Sequence, residues 1–410
     1  MTRTEIINFF VKHRGFQNYL EIGVDNEQHN FAHIECKRKV AVENKTPSST
    51  TNGSDAFFSK NSRRFDIILI DGLHLENQVL KDIDNALDCL SEGGVIVLHD
   101  CLPPDEWHQR GHEAYEEGES WNGTVWKAVL RHFNSSHNKC YIIDTDWGCG
   151  IIDTSETQHP WNITLPEDLN YNCDFQLLER YTINSAEFIR NHIGVFYHLA
   201  CMGNWKEVFR EQMMALHKND FRKLKLTVLG SNEDLEYVEE LGRTLGLKFE
   251  LLFNESELTN YERPGMLAIQ EYAKEKEGYV LYLHSKGVSQ PKDVTKFKWR
   301  RLMMKELIHN WKKCVMQLPN YDVIGVNWRD LPPVSHFCGN FWYASTSYIR
   351  RLPDFQYYYD HPRYQIWDSH HSKRLSCEFW IGSASRKPKI LSLKYRNVDF
   401  CNPSFWKYRR

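Results

Sequence analysis

Short apolar runs that alternate with helical stretches dominate the first hundred residues of the chain. Residues 19–24, 39–43, 65–70 and 95–98 predict buried strands, and residues 78–90 carry apolar side chains at helical spacing. Strands that alternate with helices in this way form a parallel sheet covered by helices on both faces. We therefore predict an α/β class domain with a doubly wound, Rossmann-like sheet.

The alternation is lost and then resumes in the second half of the chain. Residues 154–191 are irregular, with Pro160 and Pro166 interrupting any periodic pattern. The renewed pattern predicts strands at 193–199, 224–229, 249–253, 279–283 and 322–326, with helices at 232–245, 265–275 and 298–318. We expect one domain over residues 1–155, a linker over 156–190 and a second α/β domain over 191–410.

Bulk composition excludes several classes of protein. The formal net charge of −3 offers no general attraction to nucleic acid. No apolar run is long enough for a transmembrane segment, and the first residues carry no apolar signal core. The 11 cysteines are scattered without paired spacing, which favours reduced thiols and a cytoplasmic location.

The first predicted strand ends in a pattern typical of a nucleoside-binding turn. Glu21 and Gly23 lie at its end, and Glu43 follows 20 residues after Gly23 at the end of the next strand. A glycine permits close approach of the backbone to a ligand, and a strand-end carboxylate accepts hydrogen bonds from ribose hydroxyls. Ser54 and Asp55 add polar groups for the base. A cofactor-free or nicotinamide-binding domain is the alternative.

Three further segments bear a family resemblance. The runs FDIILIDGLH at 65–74, SEGGVIVLHD at 91–100 and GTVWK at 123–127 resemble the class I methyltransferases that use S-adenosylmethionine (SAM). Within that class they look most like the sugar O-methyltransferases of macrolide and aminocoumarin biosynthesis and the cephalosporin-hydroxylase-like proteins. The resemblance covers about residues 15–150 and implies that SAM binds at Glu21, Gly23, Glu43, Ser54 and Asp55.

A divalent cation is expected beside that cofactor. Asp71 ends one predicted strand and His99-Asp100 end the next, so these side chains converge at strand ends about 5 Å apart. Carboxylate oxygens suit Mg²⁺ or Mn²⁺, which lowers the pKa of a bound hydroxyl. Asp71 or His74 is the candidate base. The family commonly has an acidic residue in place of His99, and ordinary strand-end carboxylates remain the alternative.

The second half has its own polar cluster after a buried strand. His284-Ser285-Lys286-Gly287 follows the strand 279–283, where GT-A glycosyltransferases normally carry an Asp-x-Asp metal motif. A protonated lysine does not ligate a cation, but it offsets diphosphate charge directly. We expect Lys286 to contact a donor diphosphate without dependence on a metal, with His198 facing the nucleotide base.

Residues 190–400 resemble a family of bacterial and viral polysaccharide glycosyltransferases with His-Ser/Thr-Lys-Gly at this point. The further matching runs are FCGNFWYA at 337–344 and CEFWI at 377–381. The resemblance implies a nucleotide-sugar donor and a glycan or sugar acceptor, with Gly339, Asn340 and Trp342 at the sugar. Glu378 is the first candidate base and Asp330 the second. The alternatives are an ion pair for Glu378 and core packing for Trp342.

Together these patterns predict a bifunctional enzyme of polysaccharide biosynthesis, which methylates a sugar hydroxyl and transfers a sugar from a nucleotide donor. One alternative is a sugar O-methyltransferase whose second domain only binds the glycan. Another is methylation of a small catechol-like metabolite with an unrelated second domain.

Overall fold

The chain divides into two compact units, Met1–Phe188 and Ile189–Arg410. The computed structural model describes residues 1–43, 53–116, 118–330, 334–361, 369–400, 402 and 405. Over these residues each unit contains its own mixed sheet with helices packed against it, so the expected α/β class is confirmed. None of the helices in these ranges combines the length and apolar character required to cross a bilayer.

The sheet of the first unit is parallel where the sequence alternates most regularly. Its strands are β1 (Asn18–Val24), β2 (Arg38–Glu43), β3 (Phe65–Ile70), β4 (Leu90–Leu98), β5 (Asn138–Asp144), β6 (Cys149–Thr157) and β7 (Thr182–Asn184). They lie in the order β2-β1-β3-β4-β6-β5-β7. Strands β1 to β4 are parallel, and β6 is antiparallel to both β4 and β5. The parallel strands therefore end at one edge of the sheet.

Helices cover this sheet and complete its core. They are α1 (Arg3–Arg14), α2 (Gly53–Phe58), α3 (Glu76–Cys89), α4 (Val125–Ser135), α5 (Tyr171–Asp174) and α6 (Ser185–Arg190). Thr2 begins α1 with a reciprocal capping box to Glu5. Ile83 of α3 and Trp126 of α4 are fully buried in one cluster with Leu98 of β4. Apolar burial against β3 and β4 thus holds the two strands that carry the polar groups described below.

Two segments of the first unit differ from the sequence expectation. Strand β4 begins at Leu90 and continues through Gly93-Gly94, five residues before the start predicted at residue 95. Residues 156–190, expected to be a linker, lie mostly within the first unit: β6 extends to Thr157, and β7 pairs in parallel with β5. Pairing with β5 accounts for Thr182–Asn184, and short helices occupy Tyr171–Asp174 and Phe175–Tyr181.

The second unit has a larger mixed sheet. Its strands are β8 (Ile193–Ala200), β9 (Lys223–Leu229), β10 (Lys248–Glu255), β11 (Tyr279–His284), β12 (Val323–Arg329), β13 (His336–Phe337), β14 (Trp342–Ser345) and β15 (Ile390–Arg396). Strands β8 to β11 are parallel in the order β10-β9-β8-β11, and β14 pairs antiparallel with β11 and β12. Strand β15 lies beyond the last strand predicted from the sequence and adds in parallel to β12.

Helices also flank the second sheet. They are α7 (Trp205–Lys218), α8 (Asn232–Leu245), α9 (Arg263–Glu275), α10 (Val294–Met304), α11 (Trp311–Val315), α12 (Thr346–Ile349), α13 (Phe355–Asp360) and α14 (Ser369–Phe379). The single helix predicted over residues 298–318 is interrupted by a π turn, Lys305–His309, and by the non-helical backbone of Asn310. Trp328, Trp342 and Trp380 are buried in the core behind β11, β12 and β14.

Candidate functional site

Three polar side chains meet at the carboxyl edge of the first sheet. Nε2 of His74 lies 3.4 Å from Oδ1 of Asp71 and 3.5 Å from Oδ2 of Asp100. Asp71 directly follows β3, and Asp100 lies two residues beyond β4. We call these residues the Asp71 group; their ligand atoms all lie within 4.8 Å of one another.

His99 and Arg3 hold the two carboxylates of the Asp71 group in place. Nδ1 of His99 lies 2.9 Å from Oδ2 of Asp100 and 3.2 Å from Oδ1 of Asp71. Arg3 lies 2.7 Å from Nε2 of His99, and because carboxylates can only accept, Nδ1 carries the proton given to them. Burial lowers the pKa of His99, but Asp71 and Asp100 outweigh it and raise the pKa well above its usual value. Burial alone would raise the pKa of Asp71, but His99, His74 and Arg3 hold it well below its usual value. Asp71 is therefore ionised at neutral pH.

The orientation of His74 is determined by the residues directly before the GTVWK run and by the glycine that begins that run. Its Nδ1 donates to the carbonyl oxygen of Trp121 at 2.9 Å, and the two rings stack with centroids 5.4 Å apart. Gly123 has a φ of +57°, and a Cβ there would lie 2.1 Å from the carbonyl oxygen of His74. With Nδ1 committed as a donor, Nε2 faces the two carboxylates; burial lowers the pKa of His74, but the hydrogen bond to Asp71 and the charge of Asp100 outweigh it and raise the pKa above its usual value.

Asp100 has a strained backbone and a buried amide partner. Its φ is +60°, a conformation that costs a non-glycine residue about 1–3 kcal/mol. Asn122, 1% exposed, donates to Oδ1 of Asp100 at 2.7 Å, whereas its own Oδ1 has no hydrogen-bond partner among the described residues. A buried, unpaired acceptor beside strained Asp100 marks a place where a ligand donor fits.

The residues expected at the cofactor lie along the same edge of the sheet. Gly23 has a φ of +95°, and a Cβ there would lie 2.0 Å from the carbonyl oxygen of Asp71. The glycine is thus required by the neighbouring chain after β3 as well as by any ligand. Glu43 ends β2 in register with Val24 and is exposed. Residues 44–52, which follow it, lie outside the described residues.

Ser54 and Asp55 lie in α2 beside a buried carboxylate. Gln78 donates to Ser54, Asp55 and Asp82 at 3.0–3.2 Å, and Lys81 pairs with Asp55 at 2.7 Å. Burial raises the pKa of Asp82 to about 6. Ser54 and Asp55 are therefore tied to α3 through these contacts.

Glu21 is buried, whereas a side chain that binds a cofactor is accessible to it. It is 5% exposed and accepts hydrogen bonds from Tyr19 at 2.5 Å and from Asn30 at 2.9 Å. Burial raises its pKa above the usual value. The contacts of Glu21 in β1 therefore link the strand to the segment that carries Asn30.

The second unit gathers polar groups at the carboxyl end of β11. Nε2 of His284 lies 3.0 Å from the carbonyl oxygen of Gly339, and Nδ1 lies 3.7 Å from Glu262. Glu262 accepts hydrogen bonds from Tyr282 at 2.9 Å and from Asn340 at 2.5 Å. Trp342 is fully buried and donates to Asn340 at 2.8 Å, so it orients the amide from within the core.

The loop after β11 places Lys286 over an aromatic ring. Its Nζ lies 4.0 Å from the centroid of Trp299, and Arg300 donates to its carbonyl oxygen at 3.0 Å. Gly287 has a φ of +88° where a Cβ would lie 3.2 Å from Lys296. Ser285, in contrast, is buried and accepts the amide of Ala200 at 2.9 Å, which makes it a support of β8.

His198 is a neutral, buried group at the end of β8. Its Nδ1 lies 2.9 Å from the hydroxyl of Thr227, while Nε2 has no hydrogen-bond partner among the described residues. Burial lowers the pKa of His198 to about 4. A neutral imidazole with an unpaired nitrogen suits a hydrogen bond to an uncharged group better than one to phosphate.

The two carboxylates expected as bases occupy different surroundings. Glu378 accepts the amide of Gly339 at 2.6 Å, and its pKa is lowered because Lys286 and His336 outweigh the effect of burial. Asp330 accepts from Trp328 at 2.8 Å and pairs with Arg396. The contacts of Asp330 thus join β12 to β15, whereas Glu378 lies beside the peptide that also binds His284.

Different protein families match the two units of the chain. The family described as "Methyltransferase domain" matches residues 10–101, and "Domain of unknown function (DUF8361)" matches residues 196–386. The first unit therefore contains a methyltransferase domain, which implies SAM as its cofactor. No curated protein sequence matches the chain.

Two solved structures are similar over about half the chain. TarS residues 1–349 from S. aureus align with 14% identity and a TM-score of 0.27, covering 49% of this chain and 59% of TarS. HddC from Yersinia pseudotuberculosis aligns with 10% identity and a TM-score of 0.29, covering 52% of this chain and 96% of HddC. The chain thus spans less than two thirds of the TarS structure.

Several residues of the two sites were not predicted from the sequence. Arg3, Trp121 and Asn122 contact the Asp71 group, and Glu262 contacts His284 and Asn340. None of them follows a predicted strand, so the strand-end argument could not find them. The GTVWK run was a usable signal, because Asn122 directly precedes it.

Proposed function

We propose that the first unit is a SAM-dependent O-methyltransferase that acts on a sugar hydroxyl. The observation that carries this proposal is the Asp71 group, which places two carboxylates and one imidazole at the carboxyl edge of the first sheet. All three residues lie within residues 10–101, which the methyltransferase family matches. Bound SAM supplies an electrophilic methyl group. The residues of the chain then have to hold the acceptor hydroxyl and remove its proton.

His74 or Asp71 accepts the proton of the acceptor hydroxyl. In the neutral form of His74, Nε2 carries the lone pair because Nδ1 donates to Trp121. Asp71 and Asp100 raise the pKa of this imidazole above its usual value against the effect of burial, which strengthens it as a base. Asp100 and Asp71 stabilise the imidazolium that forms when His74 accepts a proton, since both carboxylates lie within 3.5 Å. General-base assistance of this kind typically contributes 10²–10⁴ in rate. The unpaired Oδ1 of Asn122 is the candidate acceptor for a second hydroxyl of the sugar.

The donor set of the Asp71 group also fits a divalent cation. Ligands about 2.1 Å from an ion at right angles are about 3 Å apart, close to the 3.4 and 3.5 Å found here. Asp71, His74 and Asp100 would hold Mg²⁺ or Mn²⁺, which would lower the pKa of the acceptor hydroxyl. His99 would then bind both ligand carboxylates through Nδ1–H, in the manner of a residue that orients ligands.

We propose that the second unit binds a nucleotide sugar and transfers the sugar to a glycan. Lys286 supplies the positive charge for the diphosphate, and Gly287, with a φ of +88°, allows the chain to turn beside it. Asn340 and Glu262 supply an amide and a carboxylate for sugar hydroxyls, and His198 faces the nucleoside. These groups share the carboxyl end of β8 and β11, where α/β sheets bind ligands.

The acceptor in this second reaction needs a carboxylate base. Glu262 is the better candidate, because its side chain is 21% exposed and already oriented by Tyr282 and Asn340. Glu378, the residue favoured by the sequence, is the alternative; Asp330 is engaged with Arg396. The variants Glu262→Gln and Glu378→Gln, made separately, show which residue is the base. The variant that has lost the base no longer transfers sugar but still binds the donor.

A two-part assay tests the proposal. Isotopically labelled SAM and a panel of sugars and oligosaccharides measure methylation, with Asp100→Asn as the inactive variant and exposed Asp105→Asn as its control. UDP- and GDP-sugar hydrolysis measures the second activity. Methylation without any nucleotide-sugar binding would favour the alternative in which the second unit is a glycan-binding module. If no sugar acquired the labelled methyl group and a catechol did, the proposal that the first unit methylates a sugar hydroxyl would be overturned.

A further inference from the structure

A second group of metal-ligating side chains lies in the second unit, away from any expected cation site. The group consists of His336 of β13, Cys338 in the following turn and Glu378 of α14; each offers one ligand atom, and these atoms all lie within 4.8 Å of one another. We call them the Cys338 group. His336 and Cys338 are 9% and 5% exposed.

Hydrogen bonds orient two members of this group, His336 and Glu378. Nδ1 of His336 lies 2.9 Å from the carbonyl oxygen of Val334, which can only accept, so Nδ1 carries the proton and Nε2 presents its lone pair. Histidines that bind metals characteristically donate the other ring N–H to a carbonyl or carboxylate in this way. Glu378 accepts the Gly339 amide at 2.6 Å, which fixes the carboxylate as well.

The ligand types indicate which metal fits. A thiolate, an imidazole and a carboxylate are a borderline-soft set that suits Zn²⁺ and is poorly matched to Mg²⁺ or Ca²⁺. Bond lengths of about 2.0–2.3 Å in a tetrahedral zinc site separate the ligand atoms by about 3.5 Å. Ligand atoms that lie within 4.8 Å of one another therefore need to approach by about 1.3 Å at most to bind the ion.

We propose that His336, Cys338 and Glu378 bind one zinc ion. The ion joins the turn after β13 to α14 and so fixes Gly339, whose N–H binds Glu378 and whose carbonyl, in the next peptide unit, binds His284. This assignment gives the Glu378 carboxylate to a metal rather than to an acceptor proton. It rests on the described geometry and does not depend on either proposed reaction.

Cobalt substitution in the full chain tests the site directly. After chelation and dialysis, Co²⁺ is added and the near-ultraviolet thiolate-to-cobalt charge-transfer band is followed. The Asp71 group contains no thiolate, so cobalt bound there does not contribute to this band. We expect a band that saturates at one equivalent per chain and disappears when Zn²⁺ is added.

Variants assign the band to these residues. Cys338→Ser removes the band, and Glu378→Gln, which keeps an acceptor for the Gly339 amide, weakens cobalt binding by about tenfold or more. Cys314→Ser is the matched control, because Cys314 is equally buried in the same unit but lies outside the group. No saturable band in the wild-type chain, or an unchanged band in Cys338→Ser, overturns the proposal. The assay contains neither SAM nor nucleotide sugar, so its outcome is separate from that of the proposed function.

Discussion

Gly123 packs so closely on the main chain of His74 that a Cβ would lie 2.1 Å from the His74 carbonyl oxygen. The orientation of the imidazole in the Asp71 group therefore depends on a residue with no side chain. This contact explains why a glycine in the GTVWK run has a structural consequence at the candidate site.

Gly123→Ala is expected to lower methyl transfer by about 10²-fold or more, because a shift of about 1 Å in a catalytic group has that effect. Gly118→Ala is the control: Gly118 also has a positive φ, +91°, but nothing lies within 4 Å of its Cβ position. Initial rates with labelled SAM, together with thermal melts, check the prediction. Equal rates in the two variants would show that the position of His74 is unimportant.

Glu43→Ala is expected to weaken SAM binding roughly tenfold to a hundredfold, the effect of losing hydrogen bonds to a charged group. Glu35→Ala serves as the control, since Glu35 is an exposed partner of Lys12 in the same unit. Titration calorimetry measures both. Unchanged affinity in Glu43→Ala would remove this carboxylate from the cofactor site.

Lys286→Ala is expected to reduce nucleotide-sugar affinity roughly tenfold to a hundredfold, because the diphosphate loses a charged donor. Lys292→Ala, an exposed lysine on the same loop, is the matched control. Equilibrium binding of UDP- and GDP-sugars is the measurement. A donor complex that is equally tight in both variants would separate Lys286 from the phosphates, whereas methylation is expected to survive either change.

Asp153→Asn is expected to lower the free energy of unfolding by about 3 kcal/mol at pH 7, because it leaves Arg14 without its buried partner. Burial would raise the pKa of Asp153, but Arg14 and Ser155 hold it below the usual value. A lowered folded-state pKa contributes stability that is complete above the unfolded value, about 3.9, and is lost as the pH falls through the folded value.

The difference between wild type and Asp153→Asn should therefore be constant near neutrality and shrink below about pH 4. Denaturant unfolding at several pH values measures it. Asp168→Asn is the control, since Asp168 is 97% exposed where it pairs with Lys127. A difference that persisted unchanged at pH 2 would exclude ionic pairing as its cause.

The sequence predicted the strands that carry the candidate sites because their apolar runs are short, buried and bounded by polar residues. Strand β3 and helix α8 begin and end where the pattern predicts. Strand-end reasoning also brought Asp71 and Asp100 together correctly. It could not find Arg3 or Glu262, because each reaches its site through tertiary packing and follows no predicted strand.

Strand β15 and the interruption of the 298–318 helix were missed for a related reason. Strand β15 is only partly buried, so its sequence lacks the apolar signal of a core strand, and pairing with β12 determines its conformation. The helix pattern continues through Asn310, where non-helical backbone angles separate two amphipathic pieces. The periodicity of apolar residues along the chain shows neither the pairing of β15 with β12 nor the backbone angles of Asn310.

The Gly339 peptide has a consequence for how the second unit can be observed in solution. Its N–H donates to Glu378, and its carbonyl, which belongs to the next peptide plane, accepts from His284, so each of the two peptide planes that meet at Gly339 is held by one side chain. The chemical shift of this one amide proton, and its rate of exchange with deuterated solvent, should respond when zinc reaches Glu378 or when a ligand displaces His284. A single nuclear resonance would thus report on both neighbours at once, before any substrate has been identified.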